Sequence, residues 1–112
     1  MIKREDAFSI VRKWTEEQTL LRVTAAAHGW GFDLDGFISG FSQDGWVKLQ
    51  ANRTRGTCDF WIGGEQFGFE YGEPRQSVEK RTTEGLVHGP TLVVFTGKDE
   101  MFTFSEIEGN AP

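Results

Sequence analysis

The sequence is poor in cysteine and in long apolar runs. Cys58 is the only cysteine, so no disulfide can form within the chain, unlike the disulfide-stapled scaffolds of many small secreted domains. The longest uninterrupted aliphatic or aromatic run, residues 92–95, is far below the ~20 residues of a membrane-spanning helix. The first six residues carry charges of both signs and are not followed by the apolar segment of a secretory signal. These absences predict a soluble, cytoplasmic protein with no membrane partner.

Basic residues are also scarce. Twelve Lys and Arg stand against seventeen Asp and Glu, which gives the 112-residue chain a net charge of −5. Binding to nucleic acids or to anionic membranes depends on neutralising phosphates with basic side chains. The charge therefore argues against nucleic acid as a partner. The length is that of one ordinary domain, residues 1–112.

Phenylalanine, tryptophan and glycine are abundant, with ten, four and fourteen residues. This composition is typical of β-structure with many tight turns. One segment near the N-terminus departs from it, because apolar side chains recur there at the spacing of a helix face. The stripe consists of Ala7, Ile10, Val11 and Trp14. It predicts a helix at about residues 4–17.

Beyond residue 18 the hydrophobic period changes to two, the period of a β-strand with one buried face. The pattern predicts strands at about 19–28, 32–42, 46–51, 57–62, 67–71, 86–96 and 101–107, with a polar connector at 72–85. The predicted fold class is α+β: an N-terminal helix followed by a curved, mostly antiparallel meander sheet or small β-barrel of about seven strands.

The second predicted strand has apolar residues on both faces. By strict alternation Phe37 and Phe41 lie opposite Leu34 and Ile38. A flat sheet with one wet face would leave one of these pairs exposed. The pattern therefore predicts a curved sheet with an aliphatic interior and the helix over part of its outside. Apolar surface that the helix does not cover becomes a candidate interface.

Residues that could hold a metal ion or act as a base are few. His28 and His88 lie sixty positions apart, and Asp33 and Asp35 share one face of a predicted strand. Without a paired-histidine spacing, polar strand ends and a solvated face explain these residues more simply than a site does. No nucleotide-binding or acyl-transfer motif occurs, and nothing near Cys58 would activate a thiol. The sequence therefore predicts no cofactor, and it favours a protein that is not an enzyme.

Aromatic residues are the stronger candidates for function. Trp61 alternates with the apolar residues of its strand, so it lies on their opposite face. Exposed tryptophans anchor protein partners or stack on flat ligands, although they could instead form a second core under the helix and the connector. The candidate interface residues are Trp30, Phe37, Phe41, Trp46 and Trp61.

Two hypotheses follow from these residues. The first is a non-catalytic binding or protein-interaction domain that self-associates, as a homodimer or with a protein partner. The alternative is a small-molecule or metal-binding site, or a minor enzyme. That site would be built on His28, Asp33, Asp35 and His88.

The segment Ser42-Gln43-Asp44-Gly45 resembles the second motif of PilZ domains, small barrels that bind a cyclic dinucleotide. Those domains also carry an acidic residue where this chain has Gly40, and an arginine pair four residues apart that this chain lacks. The nucleotide-binding function is therefore not transferred. The order of a helix and bent strands is similar in outline to Sm-like barrels. Asp44-Gly45 itself favours a type I′ hairpin turn.

Overall fold

The computed structural model describes residues 2–27, 30–52, 55–72, 87–97 and 100–107. Helix α1 (Arg4–Glu17) comes first and is followed by seven strands. These are β1 (Leu21–Ala27), β2 (Trp30–Phe41), β3 (Trp46–Ala51), β4 (Thr57–Trp61), β5 (Gly68–Gly72), β6 (Val87–Gly97) and β7 (Glu100–Ile107). The predicted fold class is confirmed. The polar connector lies almost wholly outside the described residues, which resume at Val87.

All seven strands belong to one antiparallel sheet with the order β4-β3-β2-β1-β7-β6-β5. Strands β1 to β4 form one meander and β5 to β7 a second. The two meanders are joined because β7 pairs with β1, from Leu21 opposite Glu106 to Ala26 opposite Met101. The order leaves β4 and β5 as edge strands. Over the described ranges the sheet is therefore open and does not close into a barrel.

The sheet is nevertheless strongly curled. Phe60 on β4 packs against Phe102 and Phe104 on β7, with ring centroids 5.2 Å and 6.3 Å apart. Four strand spacings separate these two strands, which is about 19 Å in a flat sheet. Contact between the rings therefore requires one face of the sheet to be concave. This concave face carries most of the buried apolar residues, and we call it the inner face.

Helix α1 lies in the concavity. The Phe8 ring packs edge to face against Phe41 and Phe69, with ring centroids 5.1 Å and 6.3 Å apart. The ring centroids of Trp14 and Phe104 lie 6.4 Å apart. The prediction that the helix covers the outside of the sheet is wrong. An open sheet leaves its concave face without a cover, and the apolar stripe of the helix supplies that cover. Helix and sheet residues form one core: Ala7, Phe8, Val11, Trp14, Leu21, Val23, Ile38, Val47, Leu49, Phe60, Ile62, Phe69, Leu92, Val94 and Phe104.

A β-bulge in β2 changes which face Phe41 occupies. Ile38 pairs with Leu49, but the next pair is Gly40 with Lys48, so Ser39 is an extra residue. The bulge turns Phe41 onto the inner face, opposite Val47 and against Phe8. The prediction that it shares the outer face with Phe37 is therefore wrong, because strict alternation fails at the extra residue.

The N-terminal residues cover part of one sheet edge. The backbone N–H of Ile2 donates a 2.9 Å hydrogen bond to the carbonyl oxygen of Phe69, and the two residues form an isolated antiparallel bridge. Arg4 donates a hydrogen bond to the carbonyl oxygen of Gly64 in the segment that leads into β5. The start of α1 is thereby attached to the β5 side of the sheet.

Candidate binding surface

Two tryptophans lie side by side on the outer face, at the β4 end of the sheet. Trp46 on β3 is directly opposite Trp61 on β4, and their rings stack with centroids 6.1 Å apart at an angle of 29°. Their exposed fractions are 53% and 45%. Lys48 and Asp59 form the next cross-strand pair on the same face. We call these four residues, Trp46, Lys48, Asp59 and Trp61, the tryptophan surface.

The strand pairing explains why the two indoles meet. Ile62 donates its backbone N–H to Gly45 at 2.8 Å, and Ala51 donates to Gly56 at 3.0 Å. Pairs of an antiparallel ladder alternate between hydrogen-bonded and non-hydrogen-bonded, so the Trp46–Trp61 pair is non-hydrogen-bonded. Side chains approach most closely at such positions.

The turn before β3 holds the tryptophans in place. Gly45, at φ 100°, closes the turn by donating its N–H to the Ser42 carbonyl oxygen at 3.1 Å. The Trp46 backbone N–H donates to the Ser42 hydroxyl at 3.1 Å, and the Trp61 indole N–H donates to the Asp44 carbonyl oxygen at 3.0 Å. A type I′ turn needs positive φ at two residues, but of the pair Asp44-Gly45 only the glycine has it. That turn prediction is therefore wrong.

A shallow depression of about 400 Å³ adjoins the tryptophan surface. The residues that line it come from the end of β2, from β3 and from β4: Gly40, Phe41, Ser42, Trp46, Val47, Lys48 and Asp59. The side chains of Lys48 and Asp59 face each other across the strands without forming an ion pair. The surface therefore offers flat apolar rings beside one positive and one negative group that are both available to a ligand.

Among the described outer-face residues, the exposed aromatic side chains lie at this end of the sheet. On β6 and β7 the outer-face residues Thr91, Val93 and Ser105 are buried, and the hydroxyl oxygens of Thr91 and Ser105 lie 3.0 Å apart. Over the part of the chain that the structure describes, the exposed large hydrophobic residues are Trp46, Trp61 and Tyr71. Tyr71 lies on β5, at the other edge.

The other predicted interface residues do not join this pair. Phe37 is half-buried on the outer face opposite Gln50, and Phe41 packs inward against the helix. Trp30 begins β2, and its side chain lies outside the described structure. Sequence reasoning did not single out Lys48, although the alternation of β3 placed it on the same face as Trp46, and it noted Ser42 only in the resemblance to PilZ domains.

One of the predicted metal-site residues, Asp35, forms an ion pair on the surface of the sheet. Arg22 on β1 donates two hydrogen bonds to the Asp35 carboxylate, at 2.8 Å and 3.0 Å. The hydrogen bond with Asp35 raises the pKa of the Arg22 guanidinium, against the opposing effect of partial burial. Asp33 is exposed two residue pairs away along β2, opposite Thr24. The Asp35 carboxylate is therefore already paired with the Arg22 guanidinium.

The histidine hypothesis stays a prediction. His28 lies outside the described residues, and His88 belongs to β6 with its side chain outside them. Among the residues whose placement is described, no three His, Cys, Asp or Glu side chains group as metal ligands would. Cys58 is a free, half-buried thiol on the inner face opposite Leu49.

Comparisons with known proteins give this chain no family and no relative. No protein-family model matches it, and neither the curated proteins nor the solved structures contain a significant match. In the described part of the chain, no helix has the length and apolar character to cross a membrane. The functional proposal therefore depends on the geometry of the surface itself.

Proposed function

We propose that this chain is a non-catalytic binding domain that self-associates, and that its contact surface is the tryptophan surface. The observation that carries the proposal is the stacked pair Trp46 and Trp61, which stays about half exposed beside two charges that are not paired with each other. Tryptophans in this setting are the side chains that contribute most to protein interfaces.

The rigidity of the pair supports the proposal. Hydrogen bonds to the 42–45 turn fix the Trp61 ring and the backbone of Trp46, and the Phe67 ring packs against Trp61 at 6.0 Å. Side chains that are already ordered lose little conformational entropy when a partner binds. The single cysteine is consistent with the predicted cytoplasmic location, where thiols stay reduced.

The exposed area predicts weak association. The two indoles of one copy leave roughly 240 Å² accessible, and a symmetric dimer buries this patch on both copies. The buried area contributes about 12 kcal/mol, from which an association cost of about 6 kcal/mol is subtracted. A dissociation constant on the order of 100 µM is the expected result. At this dissociation constant the chain dimerises reversibly at high concentration and is a monomer when dilute.

The test is sedimentation equilibrium with single substitutions of the exposed aromatic residues. We expect Trp46→Ser and Trp61→Ser each to weaken self-association at least about tenfold, the usual effect of truncating a central aromatic contact. Tyr71→Ser is the matched control, because Tyr71 is exposed at the opposite edge of the sheet. Equal weakening by all three substitutions, or none, would contradict the proposal.

A further inference from the structure

A glycine leaves the outer face open beside the tryptophan surface. Gly40 pairs with Lys48, and the nearest atom to a Cβ built at Gly40, beyond its chain neighbours, is the Lys48 Cβ at 3.9 Å. The side chain that Gly40 lacks would therefore lie on the outer face with Lys48. Gly40 lines the depression of about 400 Å³, together with Ser42 and Trp46. This volume is within the range of small-ligand sites, and the shallow shape suits a flat ligand.

The lining of the depression combines one flat apolar ring with three polar side chains. Trp46 supplies the ring and is 53% exposed. The Ser42 hydroxyl accepts the Trp46 backbone N–H at 3.1 Å, and a hydroxyl that accepts one hydrogen bond can still donate another. Lys48 and Asp59 are exposed, and among the described residues neither belongs to an ion pair. The depression therefore offers donors, an acceptor and no net charge.

These properties define the class of ligand. A ligand with a net charge would meet a like charge at either Lys48 or Asp59, which favours a neutral ligand. A pyranose sugar with equatorial hydroxyls, such as glucose, is neutral and has a flat face of C–H bonds. The electron-rich face of an indole attracts such C–H bonds. The hydroxyls at the rim of the sugar each donate and accept a hydrogen bond, which matches an ammonium group beside a carboxylate.

We propose that the depression binds a neutral pyranose sugar. Its apolar face stacks on the Trp46 indole, and its hydroxyls form hydrogen bonds with Lys48 and Asp59. This activity goes beyond the self-association proposed above and does not depend on it, because the site lies within one chain. A bound sugar and a second copy compete for Trp46. The contacts are few and the site is shallow, so we expect a dissociation constant on the order of 1 mM.

The test is a two-dimensional NMR titration with cellobiose, a disaccharide of two glucose rings. At about 20 µM the chain is mostly monomeric, so self-association does not contribute to the shifts. We expect the Trp46 indole and Lys48 amide signals to shift and to saturate, and the Tyr71 amide to stay constant. Sorbitol is the matched control ligand, because it carries the hydroxyls of a reduced glucose without the flat ring. It should bind at least about tenfold more weakly.

Filling the depression tests its role directly. Gly40→Val adds a side chain where the packing leaves room for it, and it should weaken cellobiose binding at least about tenfold. Gly72→Val is the matched control, because it makes the same change on β5, where nothing lies within 4 Å of a Cβ. Its dissociation constant for cellobiose should stay within about twofold of the wild-type value. If Gly40→Val does not fold, Trp46→Ser decides instead and should weaken binding by the same factor.

Each outcome has a distinct meaning. Cellobiose that shifts no signal up to about 50 mM overturns the sugar site and leaves the self-association intact. Equal binding of sorbitol, or binding that survives in folded Gly40→Val, also overturns it. Adenosine is a neutral flat ligand of another class, and binding of adenosine without cellobiose overturns the assignment to sugars. A chain that binds cellobiose but stays monomeric up to about 1 mM overturns the self-association alone.

Discussion

A methyl group added at Gly36 should separate β2 from β3. A Cβ atom there would overlap the carbonyl oxygen of Gln50, and it would lie 3.0 Å from the Gln50 carbonyl carbon and 3.2 Å from the Ala51 Cα. All three atoms belong to the backbone of the neighbouring strand, so no side chain can rotate away. The strand itself must retreat by about 1 Å to restore ordinary contact distances.

The cost follows from the packing and the hydrogen bonds at that point. Overpacking of this kind costs about 1–3 kcal/mol, and a weakened ladder hydrogen bond adds about 1 kcal/mol. The bond at risk is the 2.9 Å contact from the Asn52 N–H to the Asp35 carbonyl oxygen. We expect Gly36→Ala to lower the free energy of unfolding by about 3 kcal/mol, which moves the urea midpoint by about 2 M for a chain of this size.

Gly40→Ala is the matched control on the same strand. The nearest atom to a Cβ at Gly40 is the Lys48 Cβ, at 3.9 Å, which is ordinary contact. We expect a change of less than about 1 kcal/mol, with stabilisation from the less flexible unfolded chain. Urea unfolding followed by far-ultraviolet circular dichroism measures both variants. Equal midpoints for the two would refute the account of how β2 and β3 pack.

Three further predictions concern the helix and the β5 edge. Trp14→Phe should lower the free energy of unfolding by about 2 kcal/mol, because the indole N–H donates to the Glu106 carboxylate at 2.9 Å. Glu106→Gln keeps an acceptor and should lower the free energy of unfolding less in the same urea titration. Gln18→Gly should raise the melting temperature, because Gln18 has a left-handed backbone at φ 50° that glycine adopts without strain. The expected gain in the free energy of unfolding is about 0.5–1 kcal/mol, and an unchanged or lower melting temperature would contradict this. Burial, and secondarily the charge of Glu106, raise the pKa of Tyr71 above its ordinary value of 10.0. The stabilisation of the fold that comes from this shift is therefore present below pH 10 and is lost as the pH rises through the folded-state pKa. Absorbance titration of this single tyrosine, repeated with Glu106→Gln, should show a lower pKa in the variant.

The fold class could be predicted because local patterns carry it. The helix could be predicted because its apolar side chains from Ala7 to Trp14 recur at the helical spacing and lie on one face of α1, which is buried. The strands follow from alternation, as in β3, where Val47 and Leu49 point inward and Lys48 points outward. Both signals are visible within a few residues of the chain.

The curvature of the sheet and the side on which the helix packs could not be predicted in the same way. Both depend on contacts between distant segments, such as Phe60 with Phe104 and Phe8 with Phe69. The bulge at Ser39 was also hidden, because one extra residue changes the face of Phe41 without leaving a turn signal. Alternation therefore failed at the residue where the ladder is irregular.

For the binding surface, the sequence identified Trp46 and Trp61 as candidates but not their relation to each other. Their stacking depends on the exact register of β3 and β4, and their exposure depends on β4 being an edge. Neither property can be read from one strand alone. Both histidine positions lie where the side chains are not described, so that alternative remains to be tested by measurement.

The most direct test of the central claim is a dilution series of the wild-type chain followed by two-dimensional NMR of its amide and indole signals. Self-association through the tryptophan surface predicts concentration-dependent shifts for the Asp59 and Trp61 amides and for the Trp46 indole. Signals from Phe69 and Tyr71 at the opposite edge should stay constant. A spectrum that does not change with concentration, or changes confined to β5, would contradict the account.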